Sequence, residues 1–137
     1  MSTILQIATA DKNLSSFLAA LKVTSLEELL NGFGPFTLLA PINMAFGNLE
    51  APNSIDSLIK KSNTARITDI LTYHVLKEKK LHKNFRDGQV IQTILGKELV
   101  VTVKDGEVRI NGAKILTKDR QGSNGVVHSI DAVNLPS

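Results

Sequence analysis

The hydrophobic period changes halfway along this 137-residue chain, and that change limits the fold more than any other feature. In the first half, apolar residues recur at three- and four-residue intervals, as on one face of a helix. Ile4, Leu5, Ile7 and Ala8 form one such stripe, and Leu14, Phe17, Leu18 and Leu21 form a second that Asn13 is placed to cap. Ser25-Leu26-Glu27-Glu28 has the spacing of a reciprocal cap for a third helix, which Asn31-Gly32 would end in a left-handed turn. Helical spacing returns at Ser54–Ile59 and from Thr64 to Tyr73, through Ile67, Ile70 and Leu71. In the second half Leu99, Val101 and Val103 alternate with Glu98, Val100 and Thr102, and Asp105-Gly106 supplies a tight hairpin turn before Val108 and Ile110. Further strands are predicted at Val90–Leu95, Lys114–Thr117 and Val126–Val133, with Arg120–Gly125 as a polar turn.

Between the two halves lies Gly34-Pro35-Phe36-Thr37-Leu38-Leu39-Ala40-Pro41, an apolar run bounded by proline, which reads as a short buried strand. Asn43 then reads as the cap of a short helix through Ala45 and Phe46, and Thr37 and Asn43 as groups that bond backbone around the Pro41 turn. Helices before strands, with no βαβ alternation, predict an α+β class with an antiparallel or mixed sheet. The length suits one core, so residues 1–137 are expected to form a single domain.

Composition narrows the chemistry. No cysteine is present, which excludes thiol catalysis, cysteine-ligated zinc and disulfides. No apolar stretch is long enough for a transmembrane segment, and Met1–Gln6 lacks the charged and apolar regions of a leader peptide. One tyrosine, five phenylalanines and no tryptophan leave little surface for base stacking, so no nucleic acid is expected. The net charge of +3 is concentrated in Lys77, Lys79, Lys80, Lys83 and Arg86, opposed nearby only by Glu78 and Asp87. The stretch reads either as a solvated basic face or as an anion-binding patch.

The residues that catalytic patterns require do not fall at the spacings those patterns need. No glycine-rich phosphate loop occurs, and Ser123 has Gly122 and Gly125 at the wrong offsets for a nucleophile elbow. His74, His82 and His128 lack metal-ligand spacing, and the apolar neighbours of His74 and His128 read as core surroundings. No catalytic residue, cofactor or metal is therefore expected.

Three segments together resemble the fasciclin (FAS1) family. Gly34–Phe46, containing Thr37, Pro41, Asn43 and Phe46, resembles its first signature. Tyr73-His74 with Val75-Leu76 resembles its central Tyr-His pair. Asn124-Gly125-Val126-Val127-His128-Ser129-Ile130-Asp131-Ala132-Val133, followed by Leu135-Pro136, resembles its second signature. On an extended strand His128 shares a face with Val126 and Ile130, so it needs a buried hydrogen-bond partner. Asn124-Gly125 launches that strand. The resemblance implies a wedge of two packed β-sheets, about seven strands, with several helices contributed mainly by the N-terminal half. It also implies an extracellular, periplasmic or cell-surface adhesion module without enzymatic activity. The partner would be a cell-surface or matrix protein or a polysaccharide, and the isolated domain a monomer.

Partner binding, by the same resemblance, maps to Tyr73 and His74 with Ile70 and Leu71, and to Asp119. Arg120 and Gln121 stand after Asp119 where the family's pattern has apolar residues, which weakens that second segment. Tyr73 and His74 have an architectural reading as well, as core residues at a helix end. The alternative function is an anionic glycan- or lipid-head-group-binding module built on the 77–86 stretch.

Overall fold

The computed structural model describes residues 2–48 and 64–135. Helices α1 (Ile4–Thr9), α2 (Ser15–Lys22) and α3 (Leu26–Leu30) come first, with a 3₁₀ turn at Lys12–Leu14. Strand β1 (Phe36–Pro41), helix α4 (Asn43–Gly47) and helix α5 (Thr64–Thr72) follow. The remaining strands are β2 (Val75–Leu76), β3 (Val90–Gln92), β4 (Glu98–Lys104), β5 (Glu107–Ile110), β6 (Ala113–Lys114), β7 (Arg120–Gly122) and β8 (Gly125–Ile130). The helical reading at Ser54–Ile59 lies outside the described residues.

Two four-stranded sheets result, one ordered β2-β1-β8-β7 and the other β3-β4-β5-β6. In the first, β1 and β8 run parallel at the centre, from Phe36 opposite Gly125 to Pro41 opposite Ile130, and antiparallel β2 and β7 flank them. The second is an antiparallel meander. Asp105-Gly106 turns β4 into β5 with φ of 53° and 78°, and Asn111-Gly112 turns β5 into β6 with 49° and 88°, the backbone of a tight hairpin.

Every residue of β1 and β8 is buried because the first sheet is covered on both faces. Phe36, Leu38 and Ala40 point to one side, with Val127 of β8, and pack under Ile4, Leu14, Phe17, Leu21, Leu30, Phe46 and Ile70 of the helical layer. Leu39 and Ile130 point to the other side and meet Ile91, Leu99, Val101, Val108 and Ile110 of the second sheet. The layers are thus helices, mixed sheet, antiparallel sheet. The α+β wedge of two packed sheets expected from the sequence is what the chain forms.

Local corrections concern caps and short strands. Ser25 makes no side-chain cap; the Thr24 hydroxyl accepts the Leu26 N–H instead. Gly32 does not take the left-handed conformation, and Asn31 closes α3 in a right-handed one. Asn13 is inside the 3₁₀ turn, where Asp11 accepts its N–H. Ile42, not Asn43, stands at the cap of α4, which frees the Asn43 amide to accept from Ser16 N–H at 2.8 Å and donate to the Lys12 carbonyl. Arg120–Gly122 is strand β7 rather than turn, leaving only Ser123 and Asn124 between β7 and β8. The strands expected at Val90–Leu95 and Lys114–Thr117 are shorter, since β3 stops at Gln92 and β6 at Lys114. Val75–Leu76 is a strand too short for a periodic pattern to mark.

Candidate functional site

Helix α5 delivers Tyr73 and His74 into the interior, where the first is 6% exposed and the second 0%. The Tyr73 hydroxyl donates to the Glu98 carbonyl at 2.8 Å and accepts the Asn111 amide at 3.0 Å, tying the end of α5 to the second sheet. His74 donates from Nδ1 to the Ile70 carbonyl at 2.7 Å and accepts the Asn134 N–H at Nε2, 2.9 Å. Both nitrogens are used in the neutral form. Burial holds its pKa down to about 4, against a smaller opposing effect of the Ile70 hydrogen bond. Ile70 and Leu71 are buried beside them.

Asn124 serves the helical layer. Its oxygen accepts the Ile4 N–H at 2.9 Å, and its amide donates to the carbonyls of Leu30 and Gly32 at 2.7 and 2.8 Å. One side chain thus joins the starts of α1 and β8 to the end of α3. Asp131 accepts the Lys114 N–H at 2.8 Å and pins β6 beside the end of β8. Gly125 is required because a Cβ there would overlap the Phe36 carbonyl of the adjoining strand.

Two further buried polar groups, Thr37 and His128, converge on one surface segment. After β2 the chain leaves the first sheet as an arm carrying Lys77, Lys79, Lys80, Lys83 and Arg86. The Thr37 hydroxyl donates to the Glu78 carbonyl at 2.6 Å and accepts the Lys80 N–H at 2.8 Å. It therefore clamps the arm rather than the Pro41 turn predicted from the sequence. His128 donates from Nε2 to the Lys80 carbonyl at 2.8 Å and accepts the Asp119 N–H at Nδ1, 3.1 Å. Asp119, with φ of 58°, accepts the His82 N–H at 2.7 Å. Phe85 anchors the far end of the arm, its ring centroid 5.6 Å from that of His128 in an edge-to-face arrangement. Burial lowers the His128 pKa, more than its hydrogen bond to Lys80 and the Asp119 charge raise it; His82 lowers it further.

The structure thus brings Thr37, His128 and Asp119 together on the basic arm, and places Asn43, Phe46 and Asn124 in the helical layer. On the arm, Lys80 pairs with Glu78 at 3.5 Å and Lys79 bonds the Gln121 amide at 2.7 Å. Among the described residues, Lys77, Lys83 and Arg86 make no ion pair. Between the arm and β3 runs an open groove of about 400 Å³, lined by Lys77, Glu78, Lys80 and residues 89–93. Gln89 carries no signal in the sequence, and Val90 only that of a strand. Asn111-Gly112 carries one, as a hairpin dipeptide that places the Asn111 amide on Tyr73. Among the described residues, no three histidine or acidic side chains gather as a metal site requires.

A helix-covered wedge of two sheets, with its signature polar residues turned inward, defines a FAS1-type domain. The Fasciclin domain model matches residues 12–136, and the chain belongs to that family. It is 40% identical over 134 residues to protein sll1483 of Synechocystis, spanning 98% of this chain and 73% of that protein. It is 32% identical to human periostin over 136 residues, which is 98% of this chain and 16% of periostin. In structure it is similar to a FAS1 domain pair from the insect cell adhesion molecule fasciclin I, at a TM-score of 0.85 and 19% identity, covering 98% of this chain and 51% of the pair.

Proposed function

We propose that this chain is a non-enzymatic adhesion or protein-interaction module, acting outside the cytoplasm at an extracellular, periplasmic or cell-surface location. Its partner is a cell-surface or matrix protein or a polysaccharide, and it acts as a monomeric single domain. One observation carries the reading: the ring and side-chain polar atoms of Thr37, His74, Asn124 and His128 are all bonded to the protein's own backbone. Groups so bound are braces, and contact falls to the outer faces. Relationship to the family, with a cell adhesion molecule among its solved structures, supports the same reading.

Immobilised, folded chain is presented with cell surfaces, matrix proteins and polysaccharides in turn. Saturable attachment to one of them is the expected result, and attachment to none above a blank surface removes the adhesion reading.

The second reading takes Lys77, Lys79, Lys80, Lys83 and Arg86 as a site for acidic glycans or lipid head groups. The absence of ion pairs at Lys77, Lys83 and Arg86 among the described residues favours it. Such binding falls steeply as salt is raised and disappears when the five charges are neutralised. Binding indifferent to both manipulations excludes it.

A further inference from the structure

The ladder of β3 leaves one of its sides without a partner. Gln89 and Thr93 each bond toward β4, the Gln89 carbonyl accepting the Val101 N–H at 2.8 Å and the Thr93 N–H donating to the carbonyl of Lys97, just before β4, at 3.2 Å. Ile91 faces Leu99 in the same register. Backbone polarity alternates along an antiparallel strand, so the N–H and C=O groups of Val90 and Gln92 point away from β4. Ile94 shows where that side leads: its N–H donates to the Val75 carbonyl of β2 at 2.9 Å. Beyond this single bond β2 continues into the basic arm, the two strands diverge, and the groove of about 400 Å³ opens between them. Among the described residues, no hydrogen bond reaches the backbone of Val90 or Gln92 from the groove side.

We propose that β3 is a docking edge, and that its occupant is an extended acidic polypeptide segment that adds as a strand alongside Val90–Gln92. The proposal rests on the protein-interaction reading above and names the partner's chemistry. Two free donors and two free acceptors at alternate residues match the repeat of another strand. The arm across the groove sets the charge. Glu78 is already paired with Lys80, which leaves Lys77 as the uncompensated charge on the groove's lining. Carboxylates on the incoming strand meet that excess.

Val90 and Val100, cross-strand partners on the outer face, are 52% and 48% exposed. They offer an apolar ledge to alternate side chains. A second copy of this chain is the poorer occupant, because edge-to-edge pairing would set Lys77 and Lys80 against their own images. The arm is a fixed wall, since Thr37, His128 and Asp119 hold it from within.

The probe is a fluorescein-labelled seven-residue peptide of alternating glutamate and valine. We expect saturable binding, with the Val90 and Gln92 amides exchanging about 10-fold slower in the complex. Gln92→Pro removes an outward N–H that the fold does not use, which edge strands tolerate, and it should weaken binding at least about 10-fold with an unchanged melting temperature. Should Gln92→Pro unfold the chain, a peptide N-methylated at alternate residues makes the same cut from the other side and should also lose about 10-fold. Lys77→Glu should weaken binding and flatten its salt dependence. Equal affinity for the methylated peptide, or unchanged exchange at Val90 and Gln92, overturns the proposal. So does stronger binding of heparin or anionic vesicles than of the peptide. A chain that attaches to cells or matrix yet ignores the peptide loses the edge and keeps its adhesion role. If it attaches to none of those surfaces, adhesion is lost and the exchange data alone decide the edge.

Discussion

His74 uses both ring nitrogens only while neutral, donating to Ile70 and accepting from Asn134. Protonation would place a second N–H against the Asn134 N–H in a fully buried site. With a pKa near 4 folded against 6.5 unfolded, the unfolded chain binds the proton first. Stability is therefore complete above about pH 6.5 and falls as the pH drops toward 4, with about 3 kcal/mol at stake from this residue. His128, whose pKa is also lowered, adds to the loss in the same direction. Urea denaturation from pH 7.5 to 4 should show the decline, and His74→Gln should flatten much of it; a decline of equal size in the variant would place the titration elsewhere. The same residue shows what its sequence could tell. An apolar neighbourhood marks His74 and His128 as core groups, but one partner of each, Asn134 and Lys80, lies 60 and 48 residues away, and no local spacing encodes it.

At the scale of elements, the parallel pairing of β1 with β8 depends on close backbone approach at Gly125. Gly125→Ala should destabilise the chain by about 3 kcal/mol, because backbone atoms of Phe36 must shift. Gly106→Ala, at a hairpin turn with open space around it, should cost only about 1 kcal/mol from its positive φ. Chemical denaturation of the two variants measures the contrast, and equal losses would show that contact at Gly125 relaxes freely.

Elements legible in the sequence were those with several periods of pattern, such as α2, α5, β4 and β5. Caps escape the sequence for two reasons: a tertiary partner draws Asn43 from its own helix to Ser16, and at α3 the neighbouring Thr24 hydroxyl displaces that of Ser25. Strands of two or three residues, β2 and β7, exist because central strands pair with them, which residues 75–76 and 120–122 do not announce. β3 was expected, yet its free side and its groove follow only from where the arm lies.

The molecule as a whole has two cores on opposite faces of one sheet, and their cohesion follows from strands shared by both. Leu38 belongs to the helical side and Leu39 to the inter-sheet side of the same strand. Leu38→Ala and Leu39→Ala should each cost about 3 kcal/mol and lower one common transition. Helix content and the environment of Tyr73, the single tyrosine, should change together on heating. Separate transitions for the two signals would mean that the layers unfold independently. The central claim is that the family's buried polar residues hold the lysine arm from inside while its outer side is left for recognition. Native-state amide exchange at Lys80 in Thr37→Val tests it most directly. The variant keeps the shape and removes the oxygen that accepts the Lys80 N–H, so protection at Lys80 should drop about 10-fold while Leu39 and Val101 change only with global stability. Unaltered protection at Lys80 would contradict the account.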